Sequence, residues 1–158
     1  MSLTQLVYVS QNRAAGTARS PLAELRTILD VSRRNNARDN VTGYLVFDAR
    51  WFFQVLEGER AAVMQTFARI GKDPRHGEVT LLGMFEKADR DFGGWSMGGG
   101  LRTLDHEEIF LRHGVGSDMD PRRLKAKAIV ALAIDLQAHE ATRGREAASS
   151  TAAPAPAM

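Results

Sequence analysis

The hydrophobic positions of the first hundred residues switch between the period of strands and the longer period of helices. Five strand-like runs, rich in β-branched and aromatic residues, lie at residues 3–10, 41–48, 51–57, 79–88 and around Trp95–Met97. Between the first two runs, and again over residues 59–72, apolar residues recur at helical spacing. The order β-α-β-β-α-β plus a strand predicts an α+β, ferredoxin-like mixed sheet with two helices on one face.

The first helix carries clear start signals and an apolar stripe that turns polar. Ser20 is the expected N-cap and Pro21 the first helical residue. The stripe continues through Ile28 and Leu29 to Ser32, Asn35 and Asn36. The buried face of this helix therefore becomes polar near its end. A hairpin is expected at Ala49–Arg50, between the second and third strands.

The character of the chain changes after Leu101. Residues 104–112 and 121–139 have helical patterns, and we expect these two helices to cover the free face of the sheet. Residues 144–158 have low complexity and are predicted to be disordered. The predicted parts are thus a sheet domain at 1–101, a helical cap at 102–143 and a tail at 144–158.

Composition excludes several classes of protein. The 158 residues include no cysteine, so disulfides and thiolate sites are ruled out, and the formal net charge of +2 gives no indication of nucleic-acid binding. No apolar run has the length of a membrane span. The N-terminus lacks the pattern of a signal peptide, and we expect a cytoplasmic protein.

Gln54 interrupts an otherwise apolar strand, and its side chain needs hydrogen-bond partners if it is buried. Strand alternation and the predicted topology place Tyr8 beside Gln54 at the sheet centre. Asn36 and Ser32 would add polar groups from the first helix, and Trp95 and Met97 could join from the last strand. This predicts a small-molecule pocket, although each residue alone is also compatible with an ordinary core or helix end.

No motif for enzymatic turnover is present. The four histidines lack metal-ligand spacing, and the segment GGWSMGGG matches neither the P-loop nor the dinucleotide-binding pattern. Tyrosine and amide side chains are poor acids and bases near neutral pH. We therefore predict a binding protein and not an enzyme.

These residues resemble the BLUF family of blue-light sensors that use FAD, from about Leu3 to Met97. The resemblance rests on six segments in the order and spacing of the family: LVYVSQ, SRRNN, TGYLVF, FFQVLEGE, RIGKDPRH and WSM. It implies non-covalent FAD held between the two helices, with Tyr8 as photochemical electron donor and Gln54 as the switching amide. It further implies a signal relay and a set of cofactor-binding residues: Trp95 and Met97 for the relay, and Ile28, Ser32, Asn35, Asn36, Gln54, Arg69, Ile70 and Asp73 for the cofactor.

The resemblance also implies the output and leaves points open. We expect the signal to reach a separate partner protein or to change the oligomeric state, a dimer or larger homo-oligomer being expected, with no role for nucleic acid or membrane. The residues do not distinguish FAD from FMN or riboflavin, because the adenine end leaves no motif. The glycines Gly98–Gly100 depart from the regular strand expected there and put the signal path in doubt, unless they form a hinge.

Two alternatives remain on the residues alone. One is a small ferredoxin-like enzyme of the acylphosphatase type, with Arg13 in its phosphate-binding loop, although the glycine pattern there is poor. The other is a protein-binding module without a chromophore, in which Gln54 is structural. Fold does not separate these alternatives, whereas the polar set around Gln54 favours the photoreceptor.

Overall fold

A computed structural model describes residues 3–13, 20–94, 97–116 and 118–151 of the chain. Its five strands are β1 (Leu3–Asn12), β2 (Thr42–Phe47), β3 (Trp51–Gly58), β4 (His76–Lys87) and β5 (Gly98–Leu101). Its four helices are α1 (Pro21–Asp39), α2 (Arg60–Lys72), α3 (Glu107–Arg112) and α4 (Ala126–Thr151). Short 3₁₀ turns at Leu104–His106 and Pro121–Arg123 precede α3 and α4.

The strands form one mixed sheet in the order β4-β1-β3-β2-β5. Only the β2–β5 pair is parallel among the described strands, and the other pairs are antiparallel. The predicted neighbourhood of the first and third strands is confirmed, since Tyr8 lies directly opposite Gln54 in the register. On the other side of β3, Gln54 lies opposite Leu45 of β2, which in turn pairs with Gly99 of β5.

The two faces of the sheet are covered by different helices. On one face, side chains such as Leu6, Leu45 and Leu56 pack with Ile28 and Leu29 of α1 and with α2. On the other face, side chains from the same strands pack with α3 and α4: Val7, Val46, Phe53 and Val55 from the sheet, Ile109 and Phe110 from α3, and Ile129, Leu132 and Leu136 from α4. The predicted α+β architecture, with the C-terminal helices on the second face, is confirmed.

Local signals in the sequence explain where several elements begin and end. The Ser20 hydroxyl accepts a hydrogen bond from the Ala23 amide at 3.2 Å, which caps α1 as predicted. Asn40, with φ of 55°, ends the helix in the left-handed conformation that asparagine tolerates. At the β2–β3 hairpin, the Asp48 carboxylate accepts from the amides of Arg50 and Trp51 at 2.7 Å each.

The prediction for the last strand is wrong in position. Strand β5 occupies Gly98–Leu101, so Met97 lies just before it, and Trp95 lies outside the described residues. A Cβ atom at Gly99 would lie 2.7 Å from Leu29 Cδ2 and 3.2 Å from the Leu45 carbonyl oxygen. The glycines therefore do not interrupt the strand, and Gly99 lets it lie close against α1.

The predicted tail begins inside α4, since residues 144–151 continue this helix. Half of these eight residues are good helix formers, namely Arg145, Glu146, Ala147 and Ala148. Residues 152–158 lie outside the described part of the chain. Among the described helices, none combines the length and apolar character that crossing a membrane requires.

Candidate functional site

A cavity of about 460 Å³ lies between α1 and α2, with the sheet at its base. This volume is in the range of small-molecule sites. All eight residues predicted to bind a cofactor line it: Ile28, Ser32, Asn35, Asn36, Gln54, Arg69, Ile70 and Asp73. The structure thus brings together residues that lie up to 45 positions apart, counting from Ile28 to Asp73.

The cavity wall combines apolar surface with a few amide groups. Ile28 from α1 and Ile70 from α2 supply aliphatic contacts from the two helices, and Leu45 adds to them from the sheet. Asn36 is buried, with 2% of its surface exposed, and Gln54 is 4% exposed. An apolar slot with buried amides suits a flat heteroaromatic ring that has polar edges.

A hydrogen-bond chain runs from Tyr8 through Gln54 to Met97 at the cavity wall. The Tyr8 hydroxyl donates to Gln54 Oε1, and Gln54 Nε2 donates to Met97 Sδ at 3.2 Å. All three side chains are buried. The partners that Gln54 needs in the core are therefore a phenol on one side and a thioether on the other.

Tyr8 is held as a neutral phenol. Burial, with a smaller contribution from the charge of Asp73, raises the pKa of Tyr8. A protonated hydroxyl can donate or accept, so Tyr8 is compatible with either end of the Gln54 amide, whereas the Met97 thioether can only accept. The contact with Met97 therefore favours the orientation that the structure shows, with Nε2 toward the sulfur and Oε1 toward Tyr8.

His76 was missed as a site residue by sequence reasoning, although it lines the cavity. Its Nδ1 lies 2.7 Å from the Ser10 hydroxyl, and its ring centroid lies 4.4 Å from that of Phe52. Burial lowers the pKa of His76 to about 4, which keeps the ring neutral at neutral pH. The segment RIGKDPRH contains His76, so the resemblance carried a signal for it. The cavity residues Thr66, Lys72, Pro74 and Arg75 were missed as well.

Ion pairs hold the polar end of the cavity in place. Arg69 pairs with Asp39 at 2.9 Å, which joins α2 to the end of α1. Asp73 pairs with Arg75 at 2.6 Å, and although burial acts in the opposite direction, the Arg75 hydrogen bonds keep the pKa of Asp73 below its usual range. Both carboxylates are therefore charged at neutral pH. These half-exposed pairs contribute more to the geometry of the cavity than to stability.

The two tryptophans of the sequence have different outcomes. Trp51 packs against the α3–α4 face, as its strand parity predicts. It is therefore not a neighbour of Gln54 on the cavity side. Trp95, predicted to act with Met97, lies outside the described residues, so its part in the relay stays a prediction.

Comparison with known proteins decides the family. The chain matches the BLUF family model, described as sensors of blue-light using FAD, over residues 3–98. The chain belongs to the BLUF family. This membership confirms the interpretation as a blue-light sensor domain, and it sets aside the acylphosphatase and scaffold alternatives.

Three relatives illustrate the breadth of the family. The chain is 36% identical over 91 residues to the photoactivated adenylate cyclase subunit beta of Euglena gracilis. The aligned residues cover 56% of this chain and 10% of that protein. It is 34% identical over 80 residues to the blue light- and temperature-regulated antirepressor BluF of Escherichia coli, covering 51% of this chain and 19% of that protein. The structure of photo-activated BlsA superposes with a TM-score of 0.73 at 30% identity, covering 85% of this chain and 94% of BlsA. The chain thus spans between a tenth and a fifth of the length of these two curated relatives.

FAD is the cofactor of the BLUF family, and the cavity residues fit its flavin ring. Ile28 and Ile70 would supply apolar contacts from opposite helices. Asn36, Asn35 and Gln54 would supply hydrogen-bonding groups, and an amide can serve either a donor or an acceptor edge.

Proposed function

We propose that this BLUF protein is a blue-light photoreceptor that binds FAD non-covalently between α1 and α2 and signals through a hydrogen-bond switch at Gln54. The observation that carries the proposal is the buried chain Tyr8–Gln54–Met97 at the wall of the cavity. When bound, the flavin supplies absorption of blue light and an excited state that accepts an electron. The remaining steps depend on side chains of the protein.

Tyr8 is the proposed electron donor. A phenol is oxidisable, and once oxidised it is strongly acidic, so its proton leaves along an existing hydrogen bond. That bond leads to Gln54 Oε1. Because this hydrogen bond is direct, no other described group lies between the Tyr8 hydroxyl and the amide.

Gln54 can store the event because its amide has two different ends. Rotation of the amide exchanges Oε1 and Nε2, and tautomerisation changes which atom donates. After rotation, Nε2 faces Tyr8, whose oxygen then accepts, while Oε1 faces Met97 Sδ. A thioether has no proton to donate, so the rotated state loses the contact with Met97. The switch is thereby transmitted to the residue that leads directly into β5.

The output is proposed to be a separate partner protein or a change of oligomeric state. The relatives are named as an adenylate cyclase subunit and an antirepressor, so blue-light sensing in this family is combined with different outputs. Helices α3 and α4 on the second face of the sheet are the surface we propose for this output. Helix α4 packs against β1 and β3, the strands that carry Tyr8 and Gln54, and α3 packs against α4.

The test is an absorption spectrum of the purified protein in the dark, after blue light, and during return to darkness. We expect a bound-flavin spectrum that shifts slightly to the red under light and recovers thermally. The chromophore released by denaturation would be separated to distinguish FAD from FMN and riboflavin. A protein that takes up no added flavin, or a flavin spectrum without a reversible shift, would contradict the proposal.

A further inference from the structure

Arg102 directly follows β5, and its side chain is only 8% exposed. Its guanidinium forms two hydrogen bonds to the Glu107 carboxylate of α3, at 2.7 and 2.9 Å. It also donates to the Val115 carbonyl at 3.2 Å and lies 4.1 Å from the centre of the Phe110 ring. One buried side chain therefore contacts the start and middle of α3 and the loop after it.

The same residue is tied to the sheet. Its backbone amide donates to the Phe47 carbonyl at 2.8 Å, which extends the β2–β5 pairing by one step. Its guanidinium lies 3.7 Å from Asp48, the residue whose carboxylate organises the β2–β3 hairpin. Arg102 thus joins the end of β5 to both the sheet and the helical cap.

The opposite end of β5 is held from the cavity side. Met97 accepts from Gln54 through its sulfur, and its backbone carbonyl accepts from Arg33 Nε of α1 at 2.9 Å. Gly99 brings β5 close to α1, since a Cβ atom there would lie 2.7 Å from Leu29 Cδ2. We therefore expect a displacement at Met97 to move β5 along its length, toward Arg102.

We propose that Arg102 is the positioning residue through which a displacement of β5 reaches α3. A planar guanidinium engaged in a two-pronged pair and stacked on a ring cannot move with β5 while its partners stay in place. Either Glu107 and Phe110 move with it, or the pair breaks. This inference rests on the proposed function, because the displacement starts at the Gln54 switch.

The test is amide hydrogen exchange of the flavin-loaded full chain, in darkness and under steady blue light, read at residues 107–116. The variants are Arg102→Lys, Arg102→Gln and Glu107→Gln, and the absorption shift is recorded on each sample. The matched control is Arg122→Gln, which removes an exposed arginine that pairs with Asp120 and Glu78 at 2.8 Å each. This control also breaks a link between the cap and the sheet, but one that does not involve β5.

We expect the wild type and Arg122→Gln to change exchange at residues 107–116 on illumination, and the other three variants to lose that difference while keeping the red shift. A merely structural role would raise exchange equally in light and dark and leave the difference intact, which would overturn the inference. So would a wild type with a red shift but no change at these residues. Absence of the red shift in the wild type would instead mark failure of the proposed function. If Arg102→Gln does not fold, the test rests on Arg102→Lys, which keeps the positive charge, and on Glu107→Gln, which removes the partner carboxylate.

Discussion

The two faces of the sheet use the same strands for different purposes. Residues that alternate along β1 and β3 show the contrast, since Val7 and Phe53 point to the α3–α4 side, and Tyr8 and Gln54 to the α1–α2 side. The first side is mostly aliphatic and aromatic packing, and its buried polar groups, Gln5 and Thr42, donate to Glu57. The second side instead has a cavity that a buried amide, Gln54, lines. A period of two thus lets one strand carry the proposed switch and rest on a packed core at adjacent positions.

The largest expected effect is complete loss of the light response in Gln54→Leu. Leucine keeps the volume but has neither donor nor acceptor, so Tyr8 and Met97 lose their common partner. We expect flavin to remain bound and the reversible red shift to vanish, as measured by dark and light absorption spectra.

Gln11→Leu is the matched control for this change. Gln11 lies on β1 and donates to Glu78 in an exposed position, away from the cavity. Its variant should shift like the wild type. A normal light-induced shift in Gln54→Leu would remove the role assigned to Gln54.

The neighbouring residue should show the opposite behaviour. Phe53 is 1% exposed and belongs to the core beneath α3 and α4. Phe53→Ala should lower the free energy of unfolding by about 3–5 kcal/mol, because it removes a large buried ring and leaves a cavity. Denaturant titration of the flavin-loaded protein at fixed flavin concentration measures this loss.

The folded fraction of Phe53→Ala should keep a reversible red shift, since its side chain faces away from the cavity. Loss of the shift in folded protein would mean that the two faces are not functionally separate. A loss of stability below about 1 kcal/mol would mean that the core on this side tolerates a large void.

A smaller effect is expected from acid, and it reports on the cavity side. The folded-state pKa of His76 is about 4, below its ordinary value of 6.5, so the unfolded chain takes up a proton first as pH falls. Stability should therefore decline between about pH 6.5 and pH 4, by at most about 3 kcal/mol from this residue. Thermal unfolding across this window measures the decline.

His76→Asn should flatten this part of the pH profile, because the variant has no imidazole to protonate. Carboxylates such as Asp73 contribute in the same direction and remain in both proteins. An unchanged slope between wild type and variant would show that His76 does not contribute to acid sensitivity.

The sequence predicted the contact between Tyr8 and Gln54 better than it predicted the periphery of the site. Alternation along each strand is a local property, and the adjacency of the first and third strands follows from the order of the elements. Strand β5 was misplaced because glycine has low strand propensity. Glycine suits position 99 because a Cβ atom there would come too close to Leu29, which lies seventy residues earlier in the chain.

His76 was missed for a different physical reason. The β1–β4 pairing has irregularities, one of them between Val9 and Gln11, and Glu78 adopts a left-handed φ of 45°. Such a bulge breaks the alternation, so parity counted from Val79 does not extend back to His76. The predicted boundary at residue 144 falls inside α4, because low complexity gives no information on where a helix ends and residues 145–148 are good helix formers.

The smallest expected effect compares two buried tyrosines on opposite faces. Tyr8 and Tyr44 both have 0% exposure, but the Tyr8 hydroxyl donates to Gln54, whereas the Tyr44 hydroxyl has no partner in hydrogen-bonding geometry in the described part of the chain. Tyr44→Phe should therefore change the free energy of unfolding by less than about 1 kcal/mol, because no hydrogen bond is removed. Denaturant titration at fixed flavin concentration measures the change.

Tyr8→Phe is the counterpart on the cavity side and should cost about 1–3 kcal/mol, since Gln54 Oε1 is left buried without its donor. It should also abolish the red shift, whereas Tyr44→Phe should keep it. Burial raises the pKa of Tyr44, and the charge of Glu140 of α4 acts in the same direction. A loss of stability in Tyr44→Phe as large as that in Tyr8→Phe would mean that Tyr44 and Glu140 form a hydrogen bond in solution. The α3–α4 face would then hold a second buried polar contact, besides that of Gln5 with Glu57.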